Sequence, residues 1–192
     1  MKKLALIALL ALAACREDTA EIPAPVEMTA TAVGYYCQMD LLEHPGPKAQ
    51  IHLKDVSAPI FFAQVRDALA FQRMPEQNSV IAAIYVSDMD RAASWAEPGP
   101  NNWVAADAAW FVMGSQQAGG MGADEMVPFA SETGAQAFAA RNGGKVLRMN
   151  DIPDSAVLAP ASAPVAGAAP GPDDADADAD YLDRLKAATK GS

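Results

Sequence analysis

Cysteine and histidine occur only twice each in the 192 residues, and Lys and Arg together number 14 against 24 Asp and Glu. A zinc site needs about four Cys, His or carboxylate ligands in tight spacing, and no such group is present. A formal charge of −10 leaves no clustered cations to neutralise phosphates, which excludes nucleic acid as a partner. The sequence also lacks a Gly-rich phosphate loop, a serine nucleophile elbow and a nucleotide fingerprint. Catalysis by a cysteine nucleophile needs a base, yet Cys37 has only His44, seven residues away, and no recognisable orienting acid. Finally, the apolar run Leu4 to Ala14 falls short of the ~20 residues that span a bilayer.

That run is informative for another reason. Lys2-Lys3 followed by Leu4 to Ala14 has the charged and apolar regions of a secretory signal, assigned to residues 1–14. It ends in Leu12-Ala13-Ala14-Cys15, a box of small residues that resembles the bacterial lipobox, so Cys15 is the expected site of lipidation, palmitate included. The alternative is an ordinary signal peptide with cleavage near Ala14 and a chance cysteine. Arg16 after the cysteine resembles the outer-membrane sorting pattern of enteric bacteria, which favours the outer over the inner membrane. Loss of Lys2 and Lys3 takes the charge from −10 to −12, so acyl chains rather than a basic patch must hold the protein on its membrane. With Cys15 lipidated, Cys37 has no partner for an intramolecular disulfide in an oxidising compartment. A lone thiol there is buried and inert, pairs with another protein, or serves as metal ligand or nucleophile.

Residues 15–32 carry Pro23, Pro25 and small polar residues without periodicity, which predicts a flexible lipidated tether. Residues 159–192 run through Ala, Pro and Gly into alternating Asp-Ala, a composition expected to be a disordered acidic tail, with a short helix possible over YLDRLKAATK. The folded part is then 33–158, and it contains an internal echo. APIFFAQVRDALAFQ (58–72) and VPFASETGAQAFAAR (127–141) each place Phe within two residues of Pro, then a helical pattern ending in Ala-Phe. Strand candidates follow each copy, Val80–Val86 and Lys145–Met149, and precede each, Ala49–Leu53 and Trp103–Val112. The expected fold is α+β: duplicated ββαβ units, with small, mostly antiparallel sheets and packed helices.

The chemistry concentrates in sulfur. Cys37 and Met39, two apart, point the same way from an extended strand, and thiolate plus thioether is a soft pair suited to copper(I). Met113, Met121 and Met126 lie in or beside a Gly-rich loop, GSQQAGGMGADEM. Gly120 and Gly122 leave Met121 without neighbouring side chains to cover it, so it is a further candidate metal ligand. Met126 leads into Val127-Pro128-Phe129 and is the weaker candidate, because core packing accounts for it. His44, in the turn His44-Pro45-Gly46-Pro47, is within loop reach of Cys37 and is another lesser candidate. His52, on the alternating stretch Gln50 to Lys54, is expected to face solvent.

These stretches together resemble a known family. The lipobox and tether, Cys37-x-Met39, HPGPKAQIHLKD, IYVSDMD and AWFVMGS…GGMGADEMVPFAS…AQAFAARNGGKVL are similar to the NosL-type accessory lipoproteins of nitrous oxide reductase, over about residues 33–153. The resemblance implies a duplicated ββαβ fold akin to part of organomercurial lyase. It implies a non-enzymatic role in denitrification: a periplasmic, membrane-anchored copper(I) chaperone that delivers copper for the copper-sulfide centre of the reductase. Its partners would be nitrous oxide reductase and the membrane-bound ABC-type maturation complex. The metal-binding positions it implies are Cys37, Met39 and Met121. Many relatives have Cys-x-x-Cys-Gly-Met where this chain has Gly34-Tyr35-Tyr36-Cys37-Gln38-Met39, which leaves one thiolate and thioethers. Two rivals stand beside this reading. One is a non-metal adaptor lipoprotein that docks a membrane transport complex, with Cys37 buried; the other is a thiol-dependent lyase, which the single thiol disfavours.

Overall fold

A computed structural model describes residues 22–159, so the signal segment, Cys15 and the tail from 160 onward lie outside the described residues. The first unit consists of β1 (Ala49–Leu53), β2 (Ile60–Phe62), α1 (Val65–Arg73) and β3 (Ile81–Ser87). A short β4 (Trp103–Ala105) leads to the second unit: β5 (Trp110–Ala118), β6 (Asp124–Phe129), α2 (Glu132–Asn142) and β7 (Lys145–Arg148). The five-residue helix α3 (Asp154–Leu158) follows. The sequence echo is therefore a structural repeat, ββαβ twice, in an α+β fold.

The repeat extends to topology. The strand orders are β2-β1-β3-β4 and β6-β5-β7, all antiparallel, so in each unit the first strand is central and the strand after the helix flanks it. The stretch expected as one strand over 103–112 is two. Ala106 and Ala109 are buried and joined by a turn, Ala109 N–H donating to Ala106 O, which carries the chain from the first sheet to the second. Alanine has little preference for extended backbone, so nothing in Ala105-Ala106-Asp107-Ala108-Ala109 resists that turn.

Alternation along β1 sends Ala49 and Ile51 towards α1, where Val65, Ala68 and Leu69 form its buried stripe. Phe111 and Met126 of the second sheet complete this core, while Val112, Val127 and Phe129 pack on the other side against Ala135 and Phe138 of α2. The N-terminus of each repeat helix, α1 and α2, is served by a carboxylate of the other unit. Glu125 on β6 accepts from Val65 N and Arg66 N at the start of α1, at 3.3 and 3.0 Å. Asp88 and Asp90, just after β3, accept from Ala130 N and Ser131 N ahead of α2, at 2.9 and 2.8 Å. Orphan N–H groups and the positive end of the helix dipole favour such anions.

Two expectations are overturned on the far face of the first sheet. The stretch read as flexible tether is held on the sheet at Pro23, Val26 and Met28. Val26 exchanges two hydrogen bonds with the Gln50 side chain, at 2.8 and 2.9 Å, Tyr85 Oη donates to Pro23 O, and Met28 is buried. His52 does not face solvent: this same segment roofs it, leaving it 4% exposed, with Nε2 2.9 Å from Gln50 Oε1 and its ring edge-on to Tyr85. Alternation correctly put Gln50 and His52 opposite the core, but a polar face is not an exposed face once a peptide segment covers it. At the other terminus, α3 lies along α1, where Arg66 donates to Ala156 O and Ala159 O and Arg73 to Met149 O and Ile152 O. Among the described residues no helix is long and apolar enough to cross a membrane.

Candidate metal centre

Cys37 sits at the tip of a small hairpin closed by a Val33–Asp40 bridge. The hairpin docks on the free edge of β2, where Tyr35 N–H donates to Phe61 O at 2.7 Å. Cys37 and Met39 are therefore not on an extended strand. Gln38 N–H donates to Gly34 O at 2.8 Å, and Gln38 has φ +56°, so the chain turns between the two candidates and the same-face argument fails. The turn is held by the Gln38 side chain, whose Nε2 donates to Tyr35 O and Gly34 O.

The two sulfurs consequently sit in different surroundings. Cys37 is half-buried and packs with the cluster of Met28, Ala32, Leu41 and Ala63. A Cβ at residue 34 would fall 2.5 Å from Cys37 Sγ, so Gly34 provides the space that the thiol occupies. Met39 is 41% exposed. Just beyond, fully buried Leu41 anchors a 3-10 turn, Leu41–Glu43, capped by half-buried His44.

Met121 comes from the second unit, on the loop between β5 and β6. It is 43% exposed, as the flanking glycines suggested, but two of the loop's glycines answer to close approach rather than to openness. A Cβ on Gly120 would fall 2.5 Å from Pro45 O and 3.0 Å from His44 Cβ. A Cβ on Gly119 would fall 2.5 Å from Gln64 Oε1 and 2.9 Å from Glu125 Oε2. The Met121 loop thus lies directly against the His44–Pro45 turn, and Met121 N–H donates to Gln64 Oε1 at 3.0 Å. Met126 is elsewhere: 1% exposed, paired with Met113 across β5 and β6, it belongs to the core.

Beneath the loop lies a polar layer that sequence reasoning did not single out. Glu125 is fully buried, and burial pushes its carboxyl up to about 8 against three backbone N–H donors, from Arg66, Met126 and Val65. Lys48, also buried, donates from Nζ to Pro45 O and Gly46 O; burial lowers its pKa to about 8, with the Glu125 charge opposing. Gln64 joins this layer to the loop. No local signal in the sequence marks Glu125 or Gln64, whose partners Arg66 and Met121 lie 59 and 57 residues away. Among the described residues, no three His, Cys, Asp or Glu side chains converge to hold a metal ion. What the surface offers is soft and sparse: the Cys37 thiol, the exposed thioethers of Met39, Met121 and Met74, the last beside Tyr36 Oη, and the half-buried His44 imidazole.

The fold defines a small α+β protein of two ββαβ units, with the Met121 loop of the second packed on the His44–Pro45 turn that follows the Cys37 hairpin. The chain belongs to the NosL family, which matches residues 25–157. It is 52% identical over 181 residues, 94% of this chain and 90% of the relative, to the copper-binding lipoprotein NosL of Achromobacter cycloclastes. Against the copper-binding lipoprotein NosL of Stutzerimonas stutzeri it is 32% identical over 144 residues, 74% of this chain and 73% of the relative. The fold matches the crystal structure of the copper chaperone NosL from Shewanella denitrificans with a TM-score of 0.63 at 32% identity, covering 69% of this chain and 96% of that one. These relatives are named for metal binding and chaperoning, not for an enzymatic activity. The family match starts at residue 25, eight residues before the boundary expected at 33 and within the segment that packs on the first sheet.

Proposed function

We propose that this protein is a lipid-anchored periplasmic copper(I) chaperone that carries copper to the machinery assembling the copper-sulfide centre of nitrous oxide reductase. The observation that carries the reading is the donor set: a half-buried Cys37 beside exposed Met39, with exposed Met121 brought to the neighbouring His44 turn. Copper(I) is the cargo. A thiolate supplies the anionic soft donor and thioethers add neutral ones, so affinity comes from softness rather than from a closed cage. A site of few ligands at the surface leaves copper open to attack by an acceptor's donors, which transfer requires; a closed site would retain it.

The surroundings suit delivery by contact. Val33, Tyr35, Tyr36, Leu42 and Met74 are all exposed around the Cys37 hairpin, an apolar rim on which an acceptor can seat. From Ile22 to Pro47 the chain carries Glu27, Asp40 and Glu43 and no Lys or Arg, so the fitting acceptor face is apolar with a basic edge. The membrane-bound ABC-type maturation complex and the reductase are the partners this reading names, and the lipid on Cys15 would keep the chaperone near the membrane component, on the outer rather than the inner membrane if Arg16 sorts as in enteric bacteria.

The test is an anaerobic titration of the purified chain with copper(I) in competition with a chelator. Tight binding of one copper per site, weakened by orders of magnitude in Cys37→Ser with the fold intact, is the expected result. Absence of binding would favour the adaptor lipoprotein, in which Cys37 merely packs.

A further inference from the structure

We propose that Gln64 is a positioning residue for the Met121 thioether, an inference that rests on the copper reading above. Gln64 is the N-cap residue of α1 and is 3% exposed, yet its side chain caps none of the backbone N–H groups at the start of the helix. It has no need to, because Glu125 serves Val65 N and Arg66 N. The freed amide reaches outward instead. Nε2 donates to Asp67 Oδ2 at 3.3 Å, which orients Oε1 towards the loop, where it accepts from Met121 N at 3.0 Å.

The preceding residue faces the other half of the site. Ala63 is buried in the cluster against which Cys37 packs, and its N lies 3.7 Å from where a Cβ on Gly34 would be. The dipeptide Ala63–Gln64 therefore touches both the thiol hairpin and the thioether loop, and the amide of Gln64 holds the second relative to the first. This matters because a thioether is a weak neutral donor on a flexible chain, and Gly119, Gly120 and Gly122 make its loop costly to order. Met121 can add to affinity only if that ordering has been met before copper arrives, and the Gln64 bond supplies it.

The experiment is a double-mutant cycle on the full chain with Gln64→Leu and Met121→Ala, read by anaerobic copper(I)–chelator competition, by X-ray absorption for the number of sulfur neighbours, and by thermal melting. Gln64→Leu is expected to weaken binding about tenfold or more, close to the effect of Met121→Ala and with the same loss of one sulfur neighbour. Added to Met121→Ala, it should weaken binding no further. Gly119→Ala, whose new Cβ collides with Gln64 Oε1 from the loop side and also crowds Glu125 Oε2, should repeat the pattern in affinity, with a lower melting temperature as well. Wild-type affinity in both Gln64→Leu and Gly119→Ala, or losses that add in full to Met121→Ala, would overturn the proposal. So would an unchanged Met121→Ala beside a weakened Cys37→Ser, which leaves the copper reading standing; an unchanged Cys37→Ser would remove that reading itself.

Discussion

Gln38 stands at φ +56°, a conformation that costs an L-residue other than glycine about 1 kcal/mol. Its side-chain bonds to Tyr35 O and Gly34 O offset that cost and close the loop that carries Cys37. Gln38→Ala keeps the strain and loses the bonds, so urea unfolding should show a loss of about 1 kcal/mol, whereas Gln38→Gly, relieved of the strain, should lose less than half as much. The methionines separate in the same way. Met126 is enclosed by the main core, so Met126→Ala should lower stability by about 2–4 kcal/mol while copper(I) affinity holds. Exposed Met121 should do the reverse, a contrast read from melting curves and chelator competition on the two variants.

The elements are coupled through their ends. Helix α1 begins with no side-chain cap of its own and depends on Glu125 from β6, while α2 has both Ser131, which accepts from Gly134 N, and the Asp90 carboxylate from beyond β3. The buried layer under α1 makes stability respond to pH with a definite sign. Glu125 keeps its proton up to about 8 in the fold against 4.5 when unfolded, so the folded state binds more protons in that window and loses stability as pH rises through it. Lys48 gives up its proton at about 8 against 10.5, so above pH 8 the folded state binds fewer and stability recovers. Burial also lowers His52, which makes the folded state bind fewer protons and costs stability as pH falls below its unfolded value of 6.5. Above that value, urea midpoints should pass through a minimum near pH 8, and Glu125→Gln should remove the descending limb. A midpoint flat from pH 6.5 to 10 would show that the layer is not coupled to folding.

At the scale of the molecule, the two units do not stand alone. Each lends a carboxylate to the other's helix, both sheets share one core, and segments outside the repeats cover what the repeats leave open. Residues 22–32 bury Met28 and satisfy Gln50 and Tyr85, so a chain starting at residue 33 should unfold at least about 2 kcal/mol more easily, seen as a lower melting temperature. The opposite end should behave differently. The acidic stretch beyond Ala159 offers hard carboxylates, which copper(I) does not favour, so truncation after residue 159 should leave the competition titration unchanged. A large drop would mean that the tail contributes to the site.

Local patterns were enough for the sequence to mark most of the strands, both repeat helices and the duplication, though not the break between β4 and β5 or the helix α3. Periodicity marks strands and helices within a few residues of one another, and a thiol or thioether has its softness wherever it is placed. The core position of Met126 was legible in the same way, from the apolar Val127-Pro128-Phe129 that follows it. Tertiary structure decided everything that depends on distant segments meeting. Gln64 and Met121 are 57 residues apart, and Arg66 and Glu125 are 59 apart, separations that leave no periodic trace in the chain. For the same reason alternation could say which face His52 occupies but not that residues 22–28 would roof it. Nor could spacing show that a left-handed Gln38 would turn Cys37 and Met39 apart, because that turn is held by hydrogen bonds and packing that exist only once the hairpin has docked on β2.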